Sequence, residues 1–376
     1  MAQAKVGLVL SGGGARGAYQ VGVLKALAEA LPGPIPFPVI TGVSVGAINA
    51  AVLAEGADDF QASTEKLEKL WRTMTSSSVY RAEMVPLFRR LIHWSLAMSL
   101  GWAGVKTPQS LLDAAPLEEL LAREIDRTKI KANIDEGVLD AFAVTASSYA
   151  TGNSITFFQQ RGPLVEWSRA RRSGEKTAVS IEHILASAAL PGVFQARRLG
   201  STWFGDGALR QTAPLSPAIH LGCDRLFLIA VRDGTPDDEH QPMPFADHYP
   251  SIGVLGGQLL DIVFNDNLDA DLERLNRINA TLDSMLPERR ERTDLRRLEA
   301  HMVRPSLDVR DLAGEHVSEI PLPVRLVLNA IGAMGEPWVL PSYLTFEHGY
   351  IGSLIDLGYQ DGKADLDRLL TFLAAD

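Results

Sequence analysis

Several features that would assign this 376-residue chain to other classes of protein are scarce or absent. Its single cysteine, Cys223, cannot form an internal disulfide, which fits a reducing compartment. Basic residues number 36 against 46 acidic ones, and the net charge of −10 speaks against a nucleic-acid partner. The same charge speaks against attachment to an anionic membrane by charge alone.

Long hydrophobic runs are also missing, since no apolar stretch reaches the roughly 20 residues that a membrane span needs. The segment 84–102 is nevertheless rich in large apolar side chains, with Arg89 and Arg90 among them. Two interpretations stay open for it. It is either a helix that covers the core or an interfacial helix that makes peripheral contact with the inner membrane surface. The N-terminus has no charged-then-apolar signal layout, so we expect a cytoplasmic enzyme.

The order of apolar runs and glycines predicts an α/β fold. A short apolar strand at 6–10 leads through glycines into a helical pattern at 15–31, and a second strand at 39–41 leads into a helix at 45–55. This alternation is typical of a mainly parallel sheet with helices on both faces. Further strand patterns lie at 139–145, 154–159 and 226–231, and the chain beyond residue 250 is expected to be largely helical.

The glycine-rich segment 12–17 fits the dinucleotide fingerprint G-x-G-x-x-G. That fingerprint requires an acidic residue at the end of the next strand. The second strand instead ends at Thr41 and continues into Gly42 and Ser44, which disfavours a nucleotide. Glycine N–H groups at the start of a helix also stabilise other anions, including a tetrahedral oxyanion. A turn that only packs against a neighbouring strand is the alternative.

Residues 42–46, Gly-Val-Ser-Val-Gly, form a G-x-S-x-G pattern between a strand and a helix. In a nucleophile elbow of this kind the serine lies on a sharp turn, and the next backbone N–H, here that of Val45, faces the oxyanion. Gly42 and Gly46 relieve the steric strain of the turn. We therefore predict Ser44 as a nucleophile, with a serine that only caps the following helix as the alternative.

Asp206 is the best candidate for the base. It directly follows a strand pattern at 202–204, and Gly207 leaves room for a close approach to another backbone. An Asp-Gly pair is also a common turn, so this position is ambiguous in isolation. A Ser-His-Asp hydrolase would need a histidine late in the chain. His316 and His348 are late enough, but neither has a loop setting that marks it as catalytic.

These blocks, with Ala186-Ser-Ala-Ala-Leu-Pro-Gly192 between the last two, resemble the patatin-like phospholipases. The resemblance implies a three-layer α/β/α sandwich, with a catalytic domain at 5–235 that carries a helical insertion at 58–127. A helical C-terminal extension at 250–376 would pack on it. It also implies a Ser-Asp dyad without histidine and the following site residues: Ser44 and Asp206 as catalytic residues, Gly12, Gly13, Gly14, Arg16, Gly17 and Val45 at the oxyanion, and Gly42, Gly46, Gly207 and Ala208 as motif glycines and alanine.

The resemblance implies a lipid acyl hydrolase that cleaves fatty-acyl esters of phospholipids or lysophospholipids through an acyl-serine. No metal-ligand cluster is visible in the sequence, so neither a metal nor another cofactor is expected. Arg16 has two possible roles, pairing with a substrate phosphate or bracing the glycine loop through a carboxylate. The alternatives in function are a broad carboxylesterase, thioesterase or acyltransferase, and a non-catalytic lipid-binding protein of the same fold. The oligomeric state is left open.

Overall fold

The computed structural model describes residues 4–81, 110–162, 166–234 and 249–374, with isolated positions between 83 and 102. The predicted segment 84–102 therefore lies largely outside the described residues. Ten strands are described: β1 (Val6–Leu10), β2 (Val39–Val43), β3 (Ala141–Ser148), β4 (Ser154–Gln160), β5 (Trp167–Arg169), β6 (Arg172–Lys176), β7 (Arg197–Leu199), β8 (Thr202–Asp206), β9 (Arg225–Ile229) and β10 (Glu299–Val303).

One sheet contains all ten of these strands, and eight of them follow one another in the order β10–β9–β1–β2–β3–β4–β6–β5. The first five in that order are mutually parallel. The β7–β8 hairpin pairs with the end of β3, so that Asp206 lies opposite Ala146. Because β1 and β2 are central, parallel neighbours, the loops that follow them emerge at one edge of the sheet, and both candidate motifs lie there.

The described helices connect and cover these strands. In chain order they are α1 (Ala18–Ala30), α2 (Val45–Glu55), α3 (Phe60–Thr73), α4 (Ser76–Val79), α5 (Ala115–Glu124), α6 (Arg127–Glu136), α7 (Ile181–Ser187), α8 (Ser216–His220), α9 (Ile252–Asp261), α10 (Asn267–Ser284), α11 (Pro287–Arg290), α12 (Val309–Glu315), α13 (Leu322–Ala330), α14 (Val339–Leu344), α15 (His348–Ala364) and α16 (Leu366–Ala374). A π-helical turn, Ile262–Asp266, joins α9 to α10.

Apolar side chains of the central strands point alternately into two separate cores. Leu8 and Leu10 of β1 pack in the core that contains α1, α2 and α3. Val9 packs on the opposite side with α8 and α10. The expected three-layer α/β/α sandwich with a mainly parallel sheet is therefore confirmed.

The region after residue 250 is mostly helical, as expected, but it also contributes a strand. β10 extends the sheet beside β9, and its sequence Glu-Ala-His-Met-Val has no clear apolar alternation that would have predicted it. Only Val303 in this edge strand is buried. The ring of His301 in β10 lies 5.5 Å from that of Phe372 in α16, so the last described helix covers the strand. The C-terminal part of the chain is thus built into the sheet.

Helices α1 and α15 pack so closely that their backbones meet at glycines. A Cβ atom added at Gly22 of α1 would lie 2.0 Å from the carbonyl oxygen of Ile355. One added at Gly358 of α15 would lie 2.1 Å from the carbonyl oxygen of Tyr19. Neither contact is with a flexible side chain that could move away. The two glycines therefore set the distance between the helices.

We predict that Gly358→Ala destabilises the fold by about 1–3 kcal/mol because its methyl group would overpack a backbone contact. The matched control is Gly352→Ala in the same helix, where an added Cβ would meet only the Arg72 side chain at 3.6 Å. That control is expected to be neutral or to gain up to about 1 kcal/mol from helix propensity. Denaturant unfolding of both variants measures the difference, and equal stabilities would contradict this account of the packing.

Candidate active site

Ser44 lies on a strained turn between β2 and α2. Its backbone has φ 54° and ψ −128°, a conformation that residues other than glycine rarely adopt. The flanking glycines make the turn possible. A Cβ atom at Gly42 would lie 2.2 Å from the carbonyl oxygen of Gly46, and one at Gly46 would lie 2.3 Å from that of Leu10. This geometry is that of a nucleophile elbow.

The glycine loop after β1 runs beside Ser44. An added Cβ at Gly12 would come within 2.9 Å of the Ser44 Cβ, and one at Gly17 within 2.6 Å of the Val45 side chain. Gly13 and Gly14 have φ values of 153° and 55°, so the loop uses backbone conformations that favour glycine. Gly14 and Val45 are the first residues of helical segments, and their N–H groups have no acceptor within their own helices.

Asp206 ends β8 and is completely buried. Its Oδ1 accepts a hydrogen bond of 2.9 Å from the N–H of Ala208, and its own N–H donates to the carbonyl of Ala189 at 2.8 Å. Gly207 is required next to it, since a Cβ there would lie 2.0 Å from the carbonyl oxygen of Thr145. Burial raises the pKa of Asp206 to about 7, although interactions with the Ser44 hydroxyl and the Ala208 N–H act in the opposite direction.

The Ser44 and Asp206 side chains are neighbours across the same pocket. Asp206 Oδ2 is buried and makes no hydrogen bond of standard geometry with the described residues. The Ser44 hydroxyl is close enough to this carboxyl to lower its pKa. Oδ2 is therefore the carboxylate atom available to accept a proton.

Ser187, at the end of α7, connects the elbow to the sheet. Its Oγ accepts a hydrogen bond of 2.9 Å from the N–H of Ser44 and donates one of 2.6 Å to the carbonyl of Thr145 in β3. Both bonds are buried. Ser187 lies in the Ala186–Gly192 segment that carried part of the family resemblance, but the sequence alone gave no role for it.

An apolar pocket with about 630 Å³ of empty space, its mouth included, opens onto Ser44 and Asp206. Most of its wall is aliphatic or aromatic, formed by Ile48, Trp71, Met74, Val79, Leu117, Leu190, Phe194, Phe264, Tyr343, Leu344 and Phe346. These residues come from segments separated by up to 300 positions, so no local sequence pattern could have predicted them. The pocket suits a ligand with an apolar part.

Arg16 is only 1% exposed and points into the protein. Its guanidinium forms an ion pair of 3.0 Å with Asp261, donates to Ser342 Oγ at 2.7 and 2.9 Å, and lies over the ring of Tyr343. Of the two roles considered for Arg16, the bracing interaction with a carboxylate is thus present in the structure. It connects the glycine loop to α9 and α14.

The late histidines lie elsewhere. His316 interacts with Glu319 and Ser353, and His348 Nδ1 lies 2.8 Å from the carbonyl oxygen of Arg72. Among the residues that the structure describes, no histidine lines the pocket around Ser44. The described geometry therefore brings Ser44 together with a carboxylate and not with an imidazole.

Fold and site define an α/β protein in which a serine elbow and a buried aspartate face an apolar pocket. The family model for patatin-like phospholipase matches residues 8–219, which include Ser44 and Asp206. The chain belongs to the patatin-like phospholipase family, and the resemblance noted in the sequence is confirmed.

Curated relatives match over shorter stretches. A lysophospholipase, nte1, of Aspergillus terreus is 60% identical over 53 residues, which are 14% of this chain and 3% of that protein. A patatin-like phospholipase domain-containing protein of Caenorhabditis elegans is 35% identical over 120 residues, or 32% of this chain and 8% of that protein. The chain thus spans only a small fraction of the length of these relatives.

Among solved structures, human GIVD cytosolic phospholipase A2 aligns with 98% of this chain and 60% of its own, at 11% identity and a TM-score of 0.44. VipD from Legionella pneumophila aligns with 94% of this chain and 67% of its own, at 14% identity and a TM-score of 0.35.

In the part of the chain that the structure describes, no helix combines the length and apolarity needed to cross a membrane.

We predict that Asp206→Asn stabilises the protein at pH 8 and stabilises it less at pH 5. A carboxyl whose pKa is raised on folding favours the folded state while it is protonated, and this contribution is lost as pH rises from the ordinary value of about 3.9 to about 7. The asparagine stays neutral and avoids a loss on the order of a few kcal/mol. Thermal unfolding of both proteins at the two pH values measures the effect.

The matched control is Asp308→Asn. Burial alone would raise the pKa of Asp308, but the hydrogen bonds and charge of Arg310 outweigh it and lower that pKa. Its stabilising contribution is present at neutral pH and lost in acid, so this variant should be destabilised at pH 8. If both variants responded to pH in the same direction, the burial of Asp206 would not be the cause.

Proposed function

We propose that this protein is a lipid acyl hydrolase that cleaves fatty-acyl esters of phospholipids or lysophospholipids through a Ser44–Asp206 dyad. The observation that carries the proposal is a strained serine and a fully buried carboxylate that line the same apolar pocket. Membership of the patatin-like phospholipase family supports lipid acyl hydrolase activity and lipid ester substrates. The printed names of the fungal relatives, lysophospholipases, agree with it.

The first step forms an acyl-serine. Ser44 Oγ attacks the ester carbonyl carbon while its proton passes to Asp206 Oδ2, so a C–O bond forms and the carbonyl oxygen becomes an oxyanion. An ordinary aspartate with a pKa near 3.9 would be a weak base for this transfer. Burial raises the pKa of Asp206 to about 7, which makes its carboxylate a stronger base near neutral pH.

The N–H groups of Gly13, Gly14 and Val45 are the proposed oxyanion donors. Gly13 and Gly14 lie at the start of one helical segment and Val45 at the start of another, where helix dipoles also favour negative charge. Gly12 and Gly17 let the loop approach the elbow, and the ion pair of Arg16 with Asp261 connects the loop to α9. Preorganised donors of this kind stabilise the tetrahedral intermediate without reorganisation during the reaction.

The intermediate collapses when the ester C–O bond to the alcohol breaks and Asp206 returns its proton to the leaving oxygen. Water then attacks the acyl-serine, giving its proton to the same carboxylate. Collapse of the second intermediate releases the fatty acid and regenerates the Ser44 hydroxyl. One carboxylate therefore alternates between base and acid. It accepts and returns one proton in each half of the cycle, so it ends the cycle ionised, as it began.

The apolar pocket is the proposed site of the acyl chain, since burial of each methylene contributes about 0.8 kcal/mol. Peripheral contact with a lipid surface through 84–102 remains a proposal. The described positions in that segment include Ile92 and Trp102, whose side chains are 60% and 86% exposed. Exposed large apolar side chains of this kind support interfacial binding.

Ser44→Ala is expected to lower the rate of fatty-acid release from phospholipid vesicles by about 10⁴-fold or more, because it removes the nucleophile. Asp206→Asn is expected to cost about 10²–10⁴-fold through loss of the base. Labelling by a long-chain fluorophosphonate should disappear in Ser44→Ala. The matched controls are Ser353→Ala and Asp356→Asn, which lie outside the pocket lining.

The same assay separates the alternatives. Hydrolysis of short-chain p-nitrophenyl esters without fatty-acid release from long-chain phospholipid would indicate a general esterase. If both activities and the labelling were absent, the protein would be a non-catalytic lipid-binding protein. Near-normal rates in Asp206→Asn, together with loss in His316→Gln or His348→Gln, would replace the dyad by a triad.

A second prediction concerns pH. If Asp206 must be ionised to accept the proton, kcat/KM should rise about tenfold per pH unit below about 7 and level off above it. An uncharged ester substrate keeps substrate ionisation out of the profile. His316→Gln and His348→Gln should leave the midpoint unchanged. A midpoint near 4 would show that the reacting carboxylate is not the buried one.

A further inference from the structure

A second cleft lies between the β5–β6 hairpin and α10, with about 910 Å³ of empty space including its mouth. It shares no lining residue with the pocket at Ser44. Its walls come from the hairpin, from α8 and α10, and from the chain just before β10. Nothing in the proposed reaction uses this cleft.

Two arginines face each other at its edge. Arg169 of β5 and Arg172 of β6 are directly opposite in the antiparallel ladder, on either side of a tight turn in which Arg171 has φ 58°. Side chains of an opposite pair project from the same face of the sheet, with Cβ atoms about 5 Å apart. Like charges in this position destabilise a hairpin unless an anion lies between them.

Neither arginine has a carboxylate partner among the described residues, although the chain carries an excess of acidic groups. Arg172 Nε is buried and has no hydrogen-bond acceptor there. Buried arginines elsewhere do have partners, as Arg16 pairs with Asp261 and Arg310 with Asp308. A buried charged donor without an acceptor is costly, so an acceptor supplied by a ligand would stabilise it.

The other charged groups of the cleft are largely engaged. Asp271 accepts hydrogen bonds from the N–H of Leu215 and from Arg274, and Arg296 pairs with Asp224. Asp294 also lines the cleft, but no ion pair joins it to Arg169 or Arg172 within the described ranges. The cleft therefore offers two guanidinium groups without an ion-pair partner among the described residues, although the charge of Arg172 also acts on Asp271.

The rest of the cleft is neutral and partly apolar. Leu275 and Ile278 of α10 and Leu298 form an aliphatic wall. The ring of His220 stacks on that of Trp167 at 4.8 Å, and burial together with the nearby arginines lowers the pKa of His220 to about 4. This histidine is thus uncharged at neutral pH, and the wall can accept a hydrocarbon chain.

We propose that this cleft binds an anionic amphiphile, with its carboxylate or phosphate between Arg169 and Arg172 and its alkyl chain against α10. Arginine forks recognise both head groups through paired N–H donors. The shared chemistry is an anionic head on an apolar chain, supplied by a free fatty acid or by a lipid phosphate. Binding requires no bond to break, so it does not depend on hydrolysis at Ser44.

Calorimetric titration of the full chain with octanoate, octyl phosphate, octanol and inorganic phosphate tests the proposal. The two amphiphilic anions should bind, and Arg172→Gln and Arg169→Gln should each weaken that binding by about tenfold or more. Arg171→Gln is the matched control, because it removes the same charge from the same hairpin at a position that does not line the cleft. It should bind like the wild type.

Octyl phosphate should also raise the melting temperature of the wild type and of Arg171→Gln but not that of Arg172→Gln. Tighter binding of octanoate would identify a fatty acid as the source of the head group. Tighter binding of octyl phosphate would identify a lipid phosphate. Octanol or inorganic phosphate binding as tightly as the amphiphiles would overturn the proposal. Unchanged affinity in both cleft variants would do so too, because octanoate held only in the Ser44 pocket does not depend on these arginines.

Discussion

Close backbone contacts at three glycines determine the geometry of the site. At Gly42, Gly46 and Gly207 a single added carbon would lie 2.0–2.3 Å from a carbonyl oxygen of a neighbouring segment. These contacts bring the ends of β1, β2, β3 and β8 together, so that the turn bearing Ser44 and the strand end bearing Asp206 share one small volume. No side chain could mediate these contacts, since none would fit. The strain at Ser44 is maintained because the surrounding backbone leaves the turn no alternative.

Burial of the carboxylate is the main electrostatic consequence of this packing. An aspartate at the end of an exposed strand would keep a low pKa, but the completely buried Asp206 has a pKa near 7. The same side chain is oriented by the Ala208 N–H through Oδ1, which leaves Oδ2 without a partner among the described residues. Ser187 fixes the other half of the pair by accepting the Ser44 N–H and donating to β3. Burial thereby brings the pKa of this carboxyl close to neutral pH, as the proposed role of Asp206 as a base requires.

Sequence reasoning was most successful where local rules decide the structure. The elbow and the glycine loop are short segments whose backbones have only a few possible conformations, and the structure has positive φ values at Gly13, Gly14 and Ser44. It could not predict β10, whose exposed edge position needs no apolar alternation. It also left the role of Arg16 open, because the partners Asp261 and Ser342 lie more than 240 residues away. The opposite arginines of the β5–β6 hairpin became visible only once the strand register was known.

The family match ends at residue 219, but residues further along the chain also line the pocket. Phe264 and Tyr343 form part of its wall, and Arg16 of the glycine loop is held by Asp261, Ser342 and Tyr343. The carbonyl of Tyr343 would lie 2.4 Å from a Cβ at Gly14, so the C-terminal region also packs against the loop itself. The residues within the family match contain Ser44 and Asp206, whereas later residues help to shape the space beside them. This C-terminal region therefore contributes to the shape of the pocket, and its side chains there can change without disturbing the three glycine contacts.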